Sequence, residues 1–233
     1  MIGISVKRNL VIIIGACFVS NAVIAENQGI EETNYELSAT ISDSDVGNTL
    51  SIKGGIRLPI AGYAGASISA SYSDFNGENS YVDSSDNSVF LGVFFRKYDL
   101  GIINVNYGYY RSEVDSPLGN LKDSINSINV SGVYYCKELD IGLRRSRANP
   151  DSINTSGASV SYYVNENLKV GASIARMDMD HNTVFLQYQP KYFGNSTALS
   201  LSYQDSESND TLTFSLAYYF DTKVSLKDRA RRY

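Results

Sequence analysis

Between residues 35 and 220, one residue in two is apolar over segment after segment, and the residues between are mostly Ser, Thr, Gly or Asn. A β-strand turns successive side chains to opposite faces, so this period of two indicates strands with one apolar and one polar face. We predict twelve antiparallel strands, at 35–42, 49–58, 63–73, 88–97, 100–111, 126–137, 139–146, 155–164, 168–176, 183–192, 197–204 and 210–220. In the last, Leu212, Phe214, Leu216, Tyr218 and Phe220 oppose Thr211, Thr213, Ser215, Ala217 and Tyr219.

The same alternation would fit a soluble β-sandwich, so other features must decide between the two folds. The polar faces carry few Lys or Glu, which is typical of an enclosed lumen. Tight turns near 60–62, 98–99, 137–138, 165–167 and 193–195 alternate with polar loops at 74–87, 112–125, 147–154 and 177–182. Aromatic pairs such as Tyr134-Tyr135 and Tyr162-Tyr163 lie beside the tight turns and suit a membrane interface. The fold class predicted is therefore all-β, a transmembrane antiparallel up-and-down β-barrel of about twelve strands.

The start of the chain has the layout of a cleavable export signal. Lys7 and Arg8 precede an apolar run at 10–20, and Val23 and Ala25 stand at the −3 and −1 positions before Glu26. A lipoprotein-type cleavage before Cys17 is an alternative, although it would leave an apolar leader at 18–25. We expect a signal peptide at 1–25, the barrel at 26–220 and a basic periplasmic tail at 221–233.

The charge of the mature chain limits its partners. Removal of residues 1–25 leaves 18 basic and 25 acidic groups, a net charge of −7, which argues against a nucleic-acid partner. Cys136 would be the only cysteine left, so no intrachain disulfide is expected. No Cys–His spacing of a metal site occurs, and we expect no cofactor.

The signal, the hairpin rhythm and the aromatic end of the last strand at 213–220 resemble small bacterial outer-membrane porin-like proteins. The resemblance is one of pattern, covers nearly all of the mature chain and rests on no particular family motif. It implies a Gram-negative outer membrane, with membrane lipid, lipopolysaccharide and the barrel assembly machinery as partners. Because the strand count is even, both termini should lie in the periplasm. The tail of net charge +3 after Phe220 departs from the pattern, since such barrels usually end at that aromatic residue.

Twelve strands lie between side-chain-filled barrels of about eight strands and open porins of about sixteen, so a narrow channel for small solutes and a non-conducting structural barrel both remain open. Small inward residues leave space, whereas five aromatic side chains also point inward: Phe90, Phe94, Tyr110, Phe185 and Tyr219. Parity directs seven basic residues into the lumen, namely Lys53, Arg57, Arg96, Lys137, Arg144, Lys169 and Lys191. Only Glu36 and Asp140 oppose them, which predicts an anion-preferring pore unless these side chains lean into water or pair with the acids.

Three arginines point outward near the loop ends of their strands, Arg111, Arg145 and Arg176. Arginine forks bind phosphate well, so a lipopolysaccharide site is one interpretation. Ordinary interfacial snorkelling of the long side chains is the other.

We expect no enzymatic activity. His181, the only histidine, lies beside Asp180, as in some hydrolytic sites, but the pattern contains nothing else specific and favours a solvated loop residue. Acidic residues of the loops, including Asp83, Asp86 and Glu113, could bind divalent cations loosely, although their pattern favours a simply solvated surface.

Overall fold

The computed structural model describes residues 33–78, 82–115, 121–149, 154–176, 180–206, 209–220 and 223–232. Its strands are β1 (Asn34–Ser44), β2 (Gly47–Ala61), β3 (Ala64–Gly77), β4 (Asp83–Lys97), β5 (Gly101–Asp115), β6 (Leu121–Cys136), β7 (Leu139–Asn149), β8 (Asn154–Asn165), β9 (Leu168–Arg176), β10 (Asp180–Tyr188), β11 (Thr197–Ser206) and β12 (Thr211–Phe220). Each strand pairs antiparallel with the next, and β12 pairs with β1 from Tyr35–Phe220 to Ser44–Thr211. The predicted closed barrel of twelve strands is confirmed.

The two faces of each strand separate as the alternation predicts. In β12, Phe214, Leu216 and Tyr218 are exposed on the outside of the barrel, while Thr213 and Tyr219 point inward and are buried. Exposed aliphatic and aromatic side chains continue this outer band on every strand. Within the described residues, no helix is both long and apolar enough to cross a membrane.

The turns between β2 and β3, β4 and β5, β6 and β7, and β8 and β9, with the connection from β10 to β11, lie at one end of the barrel, here called the short-turn end. The connections at the opposite end, the loop end, are shorter than predicted. Strands extend into the four predicted loops, which shorten to 78–82, 116–120, 150–153 and 177–179. The contrast in connection length is therefore weaker than the sequence suggested, because polar residues at the loop end continue the strand ladder beyond the apolar band.

One strand is misplaced in the sequence prediction. We predicted a strand over 183–192, but β10 begins at Asp180 and ends at Tyr188, and a 3-10 turn forms at Lys191–Phe193. Pro190 has no N–H to continue the ladder, which is why the strand cannot extend to residue 192.

The inner wall consists of small hydroxyl side chains and a few rings that lie over glycines. Hydroxyl pairs bridge neighbouring strands, as between Thr40 and Ser215 at 2.9 Å and between Ser71 and Ser88 at 2.7 Å. A Cβ at Gly108 would come within 2.5 Å of the Phe90 ring, so the absence of a side chain at this position leaves room for the ring. The predicted inward direction of Phe90, Phe94, Tyr110, Phe185 and Tyr219 is confirmed.

After β12 the chain returns into the short-turn end as helix α1 (Leu226–Arg232). Ser225 caps its N-terminus: its hydroxyl accepts a bond from the Asp228 N–H at 3.1 Å and donates to the Asp228 carboxylate at 2.9 Å. Leu226 and Ala230 are almost fully buried. They pack with inward residues of the barrel into one apolar cluster, which comprises Phe94, Ile102, Tyr135, Tyr163, Ala198, Tyr219, Leu226 and Ala230.

Candidate functional site: the lumen and its short-turn mouth

The short-turn mouth is organised around one buried carboxylate. Asp140, the second residue of β7, points inward and is 4% exposed. Its Oδ1 accepts a hydrogen bond from Arg231 Nη2 of α1 at 2.8 Å, and its Oδ2 lies 3.6 Å from Lys169 Nζ of β9. Since Arg231 and Lys169 are also buried, Asp140 joins the helix and the wall where water does not screen the charges.

Aromatic side chains of the wall contact the two buried arginines of the helix. The Arg229 guanidinium lies 3.8 Å from the centre of the Tyr219 ring. The Arg231 guanidinium lies 4.8 Å from the Tyr135 ring and 5.6 Å from the Tyr163 ring. Such cation–π contacts strengthen when the cation is withdrawn from water, so the rings help to retain these arginines in the mouth.

Polar groups of the short turns hold the backbone and the remaining side chains of this segment. The Lys227 N–H donates to the Glu166 carbonyl at 2.9 Å, and the Leu226 N–H donates to Asn167 Oδ1 at 3.2 Å. The Gln189 amide donates to the Val224 carbonyl at 2.8 Å.

Two further bonds involve side chains of the helix. Arg229 Nη2 donates to the Asn195 carbonyl at 2.7 Å, and Lys227 Nζ pairs with Glu138 at 2.7 Å. The contacts of the segment 223–232 therefore extend from β6 to β12 around the mouth.

Four of the seven predicted lumen cations lie on inward positions of the wall at some depth: Lys53 of β2, Arg57 of β2, Arg96 of β4 and Arg144 of β7. Arg57 and Arg96 lie toward the short-turn end, where the Arg96 guanidinium stacks 4.6 Å from the Phe94 ring. Arg144 lies over Gly157, where a Cβ would approach its Nε to 2.9 Å. Lys169 also points inward and belongs to the Asp140 cluster.

The inward placement of Lys137 and Lys191 is wrong. Lys137 is exposed in the turn between β6 and β7, with a left-handed φ of 53°. Lys191 is exposed in the 3-10 turn after Pro190. Parity applies only within a strand, and both residues lie just beyond one.

The acids of the lumen differ slightly from the prediction. Glu36 of β1 and Asp140 face inward as expected. Asp86, assigned from the sequence to an acidic loop, also faces inward on β4, opposite Ser73 of β3 and Ser112 of β5. It was missed because the predicted loop over 74–87 is mostly strand.

The three outward arginines are exposed at or above the apolar band. Arg111 pairs with Glu113 at 2.9 Å, and Arg176 lies 3.5 Å from Asp180. Arg145 is exposed on β7, between Val130 of β6 and Ser156 of β8.

The sequence suggested that His181 is a solvated loop residue. The structure instead places it in β10, which begins one residue earlier, at Asp180. It is 7% exposed, points inward and lies 3.5 Å from the Gln204 amide. Ser206, opposite it on β11, donates its hydroxyl to the Asn209 carbonyl. The described part of the loop end thus does not assemble a nucleophile, base and orienting acid around this histidine. No group of acidic, His or Cys side chains that could hold a metal ion occurs among the residues described.

The most consequential site residues missed from the sequence are those of the tail. Lys227, Arg229 and Arg231 were considered only as charge in a tail outside the barrel. The available signal was a Ser at 225 with an acid three residues later, followed by basic residues, a pattern that indicates the start of a short helix.

The fold is similar to those of solved outer-membrane barrels. With the KdgM porin in complex with disordered oligogalacturonate, the TM-score is 0.59 at 12% sequence identity, covering 78% of this chain and 98% of the porin chain. With the COG4313 outer membrane channel from Pseudomonas putida F1, the TM-score is 0.53 at 11% identity, covering 85% and 100%. With outer membrane phospholipase A from Escherichia coli, it is 0.52 at 10% identity, covering 80% and 90%.

Channels and an enzyme thus share this architecture, and identities this low relate the fold alone. No protein-family model matches the sequence, and no curated protein is significantly similar to it. The chain is a closed twelve-stranded antiparallel β-barrel with the fold of outer-membrane β-barrel proteins.

Proposed function

We propose that the chain is an exported outer-membrane channel for small solutes, with its short-turn end and both termini toward the periplasm. The observation that carries the proposal is how little apolar packing fills the barrel. Of the ten buried hydrophobic residues described, eight belong to the cluster around α1 at the mouth. The wall above it is lined mainly by Ser, Thr and Asn side chains, with the rings of Phe90, Tyr110 and Phe185 among them. Such a largely polar surface suits water better than a packed core.

The sign of the lumen charges favours anionic solutes. Lys53, Arg57, Arg96 and Arg144 stand on inward positions of the described wall. The inward acids there are Glu36, Asp86 and, at the loop end, Asp123, since Asp140 is engaged by Lys169 and Arg231. Like charges in a narrow polar passage attract counter-ions and repel co-ions.

The selectivity test is the reversal potential of the refolded chain in a planar bilayer across a KCl gradient. We expect an anion-preferring potential, which moves toward zero when Lys53, Arg57 and Arg144 are all changed to Gln. A control chain with Lys97, Lys137 and Lys191 changed to Gln loses the same charge from exposed positions and should keep the wild-type potential. A cation-preferring wild type would reject the anion proposal.

The helix in the mouth favours a second candidate, a barrel that does not conduct and acts through its surface. Buried ion pairs and cation–π contacts between the helix and the wall lie in the short-turn mouth. Absence of conductance both from the full chain and from a folded chain that ends at Phe220 would support this candidate and reject the channel.

We further propose that the outer band contacts membrane lipid and that Arg111, Arg145 and Arg176 bind the phosphates of lipopolysaccharide. Changing all three to Gln should lower the amount of lipopolysaccharide that co-purifies with the barrel, because guanidinium forks bind phosphate oxygens in pairs. The measurement is phosphate and fatty-acid content per mole of detergent-purified protein. The exposed Lys97, Lys137 and Lys191 variant is the charge-matched control, and equal losses in both variants would indicate general charge attraction instead of a site.

A further inference from the structure

We infer that the segment 223–232 is a removable plug that closes the short-turn mouth, with Asp140 as the latch that retains it. The inference rests on the proposed channel function, since a plug regulates only a barrel that conducts. It concerns a part of the chain that the barrel pattern itself does not require.

The plug can leave without breaking the barrel. The wall closes through the pairing of β1 with β12, which ends at Phe220, before the segment begins. The plug adds no strand to the ladder and touches the wall through side chains and through the short turns. Its withdrawal therefore costs contacts at the mouth and leaves all twelve strand pairings intact.

Charged side chains make most of the side-chain contacts between the plug and the wall. Each of its three described basic side chains on the helix has a fixed acceptor: Lys227 has Glu138, Arg229 has the Asn195 carbonyl and Arg231 has Asp140. Only Leu226 and Ala230 add buried apolar surface. A helix of seven residues is unstable alone in water, so the plug is ordered by its receptor and loses its helical structure when it leaves.

Asp140 has the central role because it serves both states of the mouth. With the plug seated, it binds Arg231 and Lys169 together. With the plug withdrawn, Lys169 still neutralises it, so the open mouth retains no unpaired buried acid. This arrangement lowers the cost of opening compared with an acid whose only partner is the plug.

A disulfide between plug and wall tests the inference directly. The backbone nitrogen of Lys227 lies 2.9 Å from the carbonyl oxygen of Glu166, which brings their Cα atoms within the separation that a disulfide bridges. We would change Lys227 and Glu166 to Cys in a Cys136→Ser chain that begins at residue 26, and record planar-bilayer conductance before and after dithiothreitol. We expect loss of the open state when the bridge is formed and its full return on reduction.

Two controls separate the possible failures. The chain with Lys227→Cys alone, in the same background, should show no response to dithiothreitol. The chain that ends at Phe220 should conduct without closures, and the full-length Arg229→Gln/Arg231→Gln variant gives the same comparison if that truncated chain fails to fold. Equal conductance of the oxidised and reduced double-cysteine chain would overturn the plug. A folded chain that remains silent without the plug would overturn the channel function, and the plug with it.

Discussion

Changing Asp140 to Asn should destabilise the folded barrel by about 3–5 kcal/mol, because Lys169 and Arg231 then remain as buried cations without a counter-charge. The amide can accept one hydrogen bond from Arg231 but carries no charge to offset the two cations. The free energy of unfolding can be measured by urea titration in detergent, followed by far-ultraviolet circular dichroism and by the mobility of unboiled samples on gels. The chain contains no tryptophan, so tryptophan fluorescence cannot be used to follow unfolding.

Glu138→Gln is the matched control for this change. Glu138 pairs with Lys227 at the same mouth, but it is partly exposed, and exposed pairs contribute at most about 1 kcal/mol. The expected outcome is a large loss for Asp140→Asn and a small one for Glu138→Gln. Similar small losses for both would show that the Asp140 cluster is hydrated, and would remove the case for a latch.

Changing Val130 to Lys should cost about 2–4 kcal/mol in lipid, because the side chain lies on the outer face far from either strand end. Its partner on β7 is the outward Arg145, whose like charge adds repulsion to this cost. Val130 pairs with Val105 of β5, which pairs with Val93 of β4, so three valines form a row across the outer band. The measurement is reversible unfolding in phospholipid vesicles, with the fraction folded read from gel mobility.

The adjacent change Asn129→Lys supplies the control. Asn129 points to the lumen, where its amide lies 3.3 Å from the Ser127 hydroxyl, so a lysine there meets a polar interior. We expect a much smaller loss than for Val130→Lys. A reversed order of the two effects would mean that the barrel faces are inverted, and it would contradict the membrane orientation of every strand.

The strands and their faces could be predicted from the sequence because two kinds of side chain alternate there with little interruption. In β12, for example, Phe214, Leu216 and Tyr218 lie outward, as the pattern requires. The prediction failed where the strand period ends. Lys137 and Lys191 were assigned to a face by parity, but each lies in a turn, and a turn rotates the chain by an amount that parity does not describe.

The plug could not be recognised from hydrophobic pattern. It contributes only Leu226 and Ala230 to the apolar cluster. Its other residues are mostly basic, including the buried Arg229 and Arg231, so its sequence resembles that of a solvated tail. Long cationic side chains are seldom fully buried without partners, and the acidic partner of Arg231, Asp140, lies 91 positions earlier in the chain. Neither composition nor periodicity reports such pairings, so only the closed barrel reveals the site.

The receptor of the plug also has a consequence for the order in which the chain matures. Arg231 meets Tyr135 of β6, Asp140 of β7 and Tyr163 of β8, while Arg229 meets Tyr219 of β12. These groups surround one space only after the intervening strands have paired, because they stand on four different strands of the closed barrel. We therefore expect the C-terminal segment to become ordered after the strands from β6 to β12 have paired, so that protection of its amide hydrogens against exchange would report a fully assembled barrel.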